Sequence, residues 1–152
     1  MRVLEGSFAG QGLNLAIVQA RWNEQAGHLL LEGARDAFNR HGVESLDLVK
    51  VPGCYEIPLT AQVLCRSGRY DALVALGVLI RGGTAHFDLI ASQVSQGIAA
   101  VSRETGVPIA FGVLTCETME QALDRSGGKA GNKGFEAAMA AIEMVNLLRL
   151  VR

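Results

Sequence analysis

Charge is scarce in this chain: only 19% of its 152 residues are Asp, Glu, Lys or Arg, and 14 basic against 15 acidic side chains leave a formal net charge of -1. Lys and Arg are scattered rather than striped, so neither nucleic acid nor an anionic membrane is expected as a partner. Cysteine is equally sparse. Cys54, Cys65 and Cys116 are odd in number and widely spaced, with no C-x-x-C, so buried reduced thiols are expected rather than a disulfide framework or a zinc site. Long apolar runs are also missing. The charge-free stretch Leu89–Ser102 carries Ser92, Gln93, Ser95 and Gln96, and falls short of the ~20 apolar residues a spanning helix needs. The N-terminal MRVLEGSFAG has no apolar signal core and is interrupted by Glu5, which points to a cytoplasmic address.

What the chain does have is apolar surface. Of its residues 49% are hydrophobic, and the mean hydropathy of +0.25 is high for a chain with 18 glycines. A chain of about 150 residues buries about 68 to 70% of its unfolded surface, so residues 1–152 are expected to form one domain. The excess apolar character suggests that something besides the chain's own core absorbs it.

Short dense apolar runs alternate with longer periodic ones. LNLAIVQA (Leu13 to Ala20), SLDLVKV (Ser45 to Val51), DALVALGVLI (Asp71 to Ile80) and PIAFGVLT (Pro108 to Thr115) read as strands, and three of them are apolar enough to be covered on both faces. Helices are expected over Glu24 to His41, with Gly42 as stop signal, and over Glu56 to Cys65, His86 to Glu104, Thr118 to Ser126 and Lys133 to Leu150. Strict alternation with right-handed crossovers specifies an α/β fold: a three-layer flavodoxin-like sandwich around a four-stranded parallel sheet. The leading VLEGSF lies outside it, free to fray or to pair as an edge strand with another subunit's sheet.

Ligands of such sheets bind at the carboxyl ends of the strands. The segments there are Arg21-Trp22-Asn23, Pro52-Gly53-Cys54-Tyr55-Glu56, Arg81 to Phe87, and Thr115 to Thr118. Trp22 and Tyr55 offer flat faces to a planar ring, or else plug the end of the sheet. Gly82-Gly83-Thr84 ends one apolar strand and opens a helix, where free N–H groups and a helix dipole favour phosphate; the plainer alternative is a glycine turn capped by Thr84. It is neither a Walker loop nor a dinucleotide fingerprint, since Gly128-Lys129 is followed by Ala130 and no G-x-G-x-x-G follows the first strand. His86, in the first turn of that helix, is placed to move protons. His28 and His41 read as surface or packing residues. Arg125 to Gly134 is either a solvated loop or a source of cations for a phosphate, with Arg125 the better phosphate ligand.

Together these segments resemble the 6,7-dimethyl-8-ribityllumazine synthase family of riboflavin biosynthesis. EGSF, ARWNE, VPGCYEIPLTA, GVLIRGGTAHFDLIASQVSQGI, PIAFGVLT and EQALDRSGGKAGNKGFEAAMAAIEM carry the resemblance over nearly the whole length. It implies condensation of 5-amino-6-(D-ribitylamino)uracil with 3,4-dihydroxy-2-butanone 4-phosphate, with loss of phosphate and water and without metal or organic cofactor. It further implies that Trp22 stacks on the pyrimidine, that Cys54, Tyr55 and Glu56 contact the ring and ribityl chain, and that Val78, Leu79 and Ile80 line the pocket. By the same resemblance Gly83, Thr84 and Arg125 hold the phosphate and His86 transfers protons. Phe111 comes from an adjacent subunit, and Lys133 stands close to the substrates. The implied assembly is a pentamer, extended to a 60-subunit icosahedral shell by the short GGKAGN-type turn, with riboflavin synthase as a candidate protein partner. Three positions depart from the family's commoner residues: Trp22 where Phe is usual, Ala85 where Pro is usual, and the variable pair Cys54-Tyr55. A flavin- or lumazine-binding carrier, or a shell protein of the same fold, is the alternative reading.

Overall fold

Alternating side chains on two central strands build two separate cores. The computed structural model describes residues 1–152, with β1 over Asn14–Ala20, β2 over Ser45–Val51, β3 over Ala72–Ile80 and β4 over Ile109–Cys116. They form one parallel sheet in the order β2-β1-β3-β4. On one face Leu15, Ile17, Val74, Leu76 and Val78 pack under α1 (Glu24–Arg40), α4 (Met119–Asp124) and α5 (Lys133–Val151). On the other, Ala16, Val18, Leu73 and Ala75 pack under α2 (Ile57–Arg66) and α3 (His86–Thr105). This is the expected three-layer sandwich. The apolar β1 and β3 are buried on both faces, whereas Ser45, Asp47 and Lys50 leave β2 an exposed edge.

Element boundaries differ from the sequence reading by one or two residues at most ends. The second helix is preceded by a 3-10 turn, Cys54–Glu56, because Pro58 in the first turn sets where the regular helix can begin. Helix α4 is shorter than expected: Thr118 caps it by accepting from the Gln121 N–H at 3.2 Å, and it ends at Asp124.

The segment expected to be a bare loop between the last two helices contains an antiparallel hairpin, β5 (Ser126–Gly128) with β6 (Gly131–Asn132). The Asn132 side chain then caps α5, accepting from the Gly134 and Phe135 N–H groups at 2.9 and 3.1 Å, while its amide donates to the Leu29 carbonyl at 3.0 Å. Gly134 presses against α1 so closely that a Cβ would meet the Leu30 carbonyl oxygen. Much of the KAGNKG motif therefore docks α5 on α1.

The leading nine residues form no strand within the chain. They run beside α5, where the Asn146 amide donates to the carbonyls of Ser7 and Ala9 at 2.9 and 3.0 Å. Val3 and Phe8 remain exposed. No helix is long and apolar enough to cross a membrane.

Candidate active site

A cavity of about 440 Å³ opens at the carboxyl ends of β1, β2 and β3. Trp22, Cys54, Tyr55, Glu56, Val78, Leu79, Ile80 and His86 all line it, together with Asn23, Gly53 and Ile90. Trp22 and Tyr55 do not plug the sheet: they are 73% and 61% exposed, with faces uncovered at the cavity mouth. The floor comes from the last residues of β3, and Asn23 joins floor to wall. Its backbone is left-handed, with φ of 59°, and its side-chain amide donates to the Val78 carbonyl at 2.8 Å. Sequence reasoning passed over Asn23 as a site residue; an Asn between a strand end and a helix start, tolerant of left-handed backbone, was the available signal.

Cys54 lies beneath the cavity, almost fully buried, with its sulfur where a Cβ at Gly77 would clash. Burial pushes its thiol up to about 11, against the opposing pull of a hydrogen bond with the Val78 backbone. The side chain is thus a neutral packing group at pH 7, not a nucleophile. Cys65 and Cys116 are likewise free and buried.

The Gly82–Thr84 turn, expected to hold phosphate, is open. A Cβ at Gly82 or Gly83 would meet nothing within 4 Å, and neither glycine has a left-handed φ. Folding of the single chain therefore does not require glycine at either position, and its effect is to leave the backbone N–H groups uncovered. Helix α3 begins at His86 with Ala85 at its N-cap and no side-chain bond from that residue, so the positive end of a 20-residue helix is met by a single side-chain acceptor. Thr84 is not the cap; its hydroxyl oxygen accepts from the His86 N–H at 3.3 Å. His86 itself is exposed beside the cavity.

Three of the expected site residues lie elsewhere. Phe111, Arg125 and Lys133 share a separate depression of about 240 Å³ on the outer side of β4. Phe111 pairs in register with Ala75, three to five residues below the floor residues Val78 to Ile80, so it sits about 10 to 16 Å down the sheet from them at ~3.3 Å per residue. Arg125 donates to the Gln121 carbonyl at 3.1 Å and forms no ion pair; Lys133 bridges Glu136 at 3.0 Å. Within one chain, then, Arg125 does not share a cavity with His86. No Lys or Arg lines the larger cavity.

The aromatic faces, the open glycine turn and the adjacent imidazole belong to a chain that is similar to one family over nearly its whole length. The family model for 6,7-dimethyl-8-ribityllumazine synthase matches residues 12–149. A 6,7-dimethyl-8-ribityllumazine synthase of Thermococcus kodakarensis is 53% identical over 152 residues, covering 100% of this chain and 97% of the relative. One from Thermococcus gammatolerans is 54% identical over 149 residues, 98% of this chain and 96% of the relative. With full-length similarity and these features gathered at one end of the sheet, the chain belongs to the 6,7-dimethyl-8-ribityllumazine synthase family.

Proposed function

We propose that the chain condenses 5-amino-6-(D-ribitylamino)uracil with 3,4-dihydroxy-2-butanone 4-phosphate to give 6,7-dimethyl-8-ribityllumazine, phosphate and water, the penultimate step of riboflavin biosynthesis. The observation that carries this reading is the cavity itself, where two uncovered aromatic faces, Glu56 and His86 adjoin the N-terminus of α3. Trp22 stacks on the pyrimidine, and Cys54, Tyr55 and Glu56 meet its ring and ribityl chain over a floor of Val78, Leu79 and Ile80. The 5-amino group attacks the butanone carbonyl and forms a Schiff base with loss of water. Phosphate then leaves from beside Gly83 and Thr84 while His86 moves protons, the resulting enol becomes a ketone, and the ribitylamino nitrogen attacks that carbonyl and closes the second ring with loss of a second water.

The second half of the site comes from a neighbouring copy. Phe111, Arg125 and Lys133 cannot reach the larger cavity of their own chain, and a subunit docked along β4 would present them to the cavity of the next. The surface supports such an assembly: an apolar groove of about 480 Å³ lined by Pro108, Ile109, Met144 and Leu148 runs by β4, and Leu59, Val63 and Leu89 are exposed. A closed ring satisfies a heterologous contact of this kind without leaving a free edge. The pentamer, the icosahedral shell, strand exchange by the leading segment, a cytoplasmic setting and an association with riboflavin synthase follow from family membership as parts of this proposal.

Mixing the protein with both substrates and recording lumazine absorbance and fluorescence tests the reaction. Product binding without turnover would overturn it in favour of a carrier. Holding two reactants together can lower a barrier by ~7 to 11 kcal/mol, whereas general acid-base assistance contributes ~10² to 10⁴ in rate. His86→Ala is therefore expected to retain measurable turnover; a loss beyond about 10⁴-fold would make proton transfer, not positioning, the dominant contribution.

A further inference from the structure

Arg81 heads the segment that carries Gly83, Thr84 and His86, and its side chain is engaged by residues outside Gly82–His86. Its two terminal nitrogens bind Asp88 in parallel at 2.9 and 3.0 Å, and its Nε reaches Glu117 at 3.0 Å. The guanidinium carbon lies 4.5 Å from the centre of the Phe87 ring. The Arg81 backbone N–H donates to the Cys116 carbonyl at 2.9 Å. Asp88 belongs to the first turn of α3, and Glu117 follows β4 directly. One side chain thus joins the ends of β3 and β4 to the start of α3.

Between these anchor points little else holds the loop. The only side-chain hydrogen bond within Gly82–His86 is that between Thr84 and the His86 N–H, and no atoms pack where the glycines would carry a Cβ. Two carboxylates already engage the guanidinium, so it is not an uncommitted cation awaiting phosphate. We infer that Arg81 is a positioning residue: by clamping Asp88 and Glu117 it fixes the Gly82–His86 segment, and with it the phosphate-binding amides and the His86 imidazole, without touching substrate. This rests on the proposed reaction, in which those amides and that imidazole meet the butanone phosphate.

The competing role, a phosphate ligand released on substrate arrival, makes the opposite prediction for the carboxylates. A clamp is weakened by losing either one; a ligand would be freed. Lysine is a point charge that cannot bind Asp88 through two parallel bonds while reaching Glu117. Since misplacement by ~1 Å can cost ~10²-fold, Arg81→Lys is expected to lower kcat/KM for the butanone phosphate about tenfold, with the pyrimidine KM within about twofold of the parent. Asp88→Asn and Glu117→Gln should move the same constant in the same direction by about threefold each, and add little in the Arg81→Lys background.

Hydrogen exchange supplies a readout independent of substrate: the hydrogen-bonded amides that bound the segment, Arg81 on the Cys116 carbonyl and Leu89 on the Ala85 carbonyl, should exchange faster in Arg81→Lys at unchanged Tm. A lower butanone phosphate KM in either carboxylate variant would overturn the clamp, as would wild-type constants in all three, or both KM values rising together with a falling Tm. Unchanged exchange would overturn it even if the parent protein failed to turn over the two substrates, a failure that by itself strikes only the proposed function.

Discussion

The cavity at the ends of β1 to β3 and the depression beside β4 are built from the same sheet but carry complementary chemistry. The first has aromatic faces and an imidazole, with the open Gly82–Thr84 turn leading up to that imidazole, and no lysine or arginine among its lining residues. The second has Arg125, Lys133 and an exposed Phe111, and no proton-transfer histidine. In the proposed reaction a departing phosphate would call on both halves: oriented amides to place its oxygens and a positive charge to balance them. The strand register sets Phe111 three to five residues away from the floor of its own chain's cavity, and Arg125 and Lys133 lie with Phe111 in the separate depression. Their separation makes the neighbouring copy part of the proposed chemistry rather than only of stability.

Breaking each half separately gives the largest expected effects. Gly83→Asp adds a carboxylate where a Cβ meets nothing and φ is ordinary, so it should fold normally and repel the phosphate. Like-charge juxtaposition costs several kcal/mol, so a loss of about 10²-fold or more in kcat/KM is expected. Arg125→Ala removes charged hydrogen bonds of about 1.5 to 3 kcal/mol each, enough to raise the butanone phosphate KM about 10- to 100-fold. Co-assembled from equal amounts of denatured chains, the two variants should regain about a quarter of parental activity, since random pairing about a ring leaves that share of interfaces with both halves intact. Mixtures no more active than the separate variants would place both halves in one subunit.

How visible each half was in the sequence depended on the range of its contacts. Strands β1, β3 and β4 and helices α1, α3 and α5 were legible because apolar periodicity and glycine stops are local signals. The sheet-end rule then gathered Trp22, Tyr55, Glu56 and His86 without knowledge of any contact. The hairpin at Ser126 to Asn132 was not legible, since two- and three-residue strands rich in glycine have no alternation to read. Nor was the clamp on Arg81: Glu117 lies 36 residues away, and nothing local distinguishes a guanidinium bound to two carboxylates from one facing a ligand. The placement of Phe111 in an adjacent subunit came from the family resemblance alone, and strand register shows only that Phe111 stands away from the cavity of its own chain.

The two regions also differ in how their buried thiols answer to alkali. Under the larger cavity, burial raises Cys54 from an ordinary 9.0 to about 11, with Glu56 adding to the shift. Cys116, at the end of β4, is raised by burial too, but the Arg125 charge pulls the other way. A raised thiol means that the folded state binds more protons than the unfolded one between the two values. Stability from Cys54 is therefore complete below about pH 9 and is lost as pH rises through about 11, a loss of about 2 to 3 kcal/mol. Urea denaturation across that window should show a flatter alkaline limb in Cys54→Ala and a smaller change in Cys116→Ala. Equal changes in the two variants would remove the distinction between the sites.

The smallest effect concerns what holds the first cavity's wall to its floor. Asn23 combines a left-handed backbone with a side-chain bond to the Val78 carbonyl, and these contributions separate by substitution. Glycine tolerates the backbone and loses only the bond, a cost of about 1 kcal/mol. Alanine loses the bond and adds left-handed strain, about 1 to 2 kcal/mol more. The ordering parent, Asn23→Gly, Asn23→Ala in denaturant midpoint is thus expected, with the pyrimidine KM raised in both variants because Val78 lines that pocket. The complementary depression beside β4 has no contact with Asn23, so the butanone phosphate KM should change less than the pyrimidine KM. If both constants shifted equally, the wall would be coupled to the whole interface, and the two regions would be one mechanical unit rather than two halves brought together by assembly.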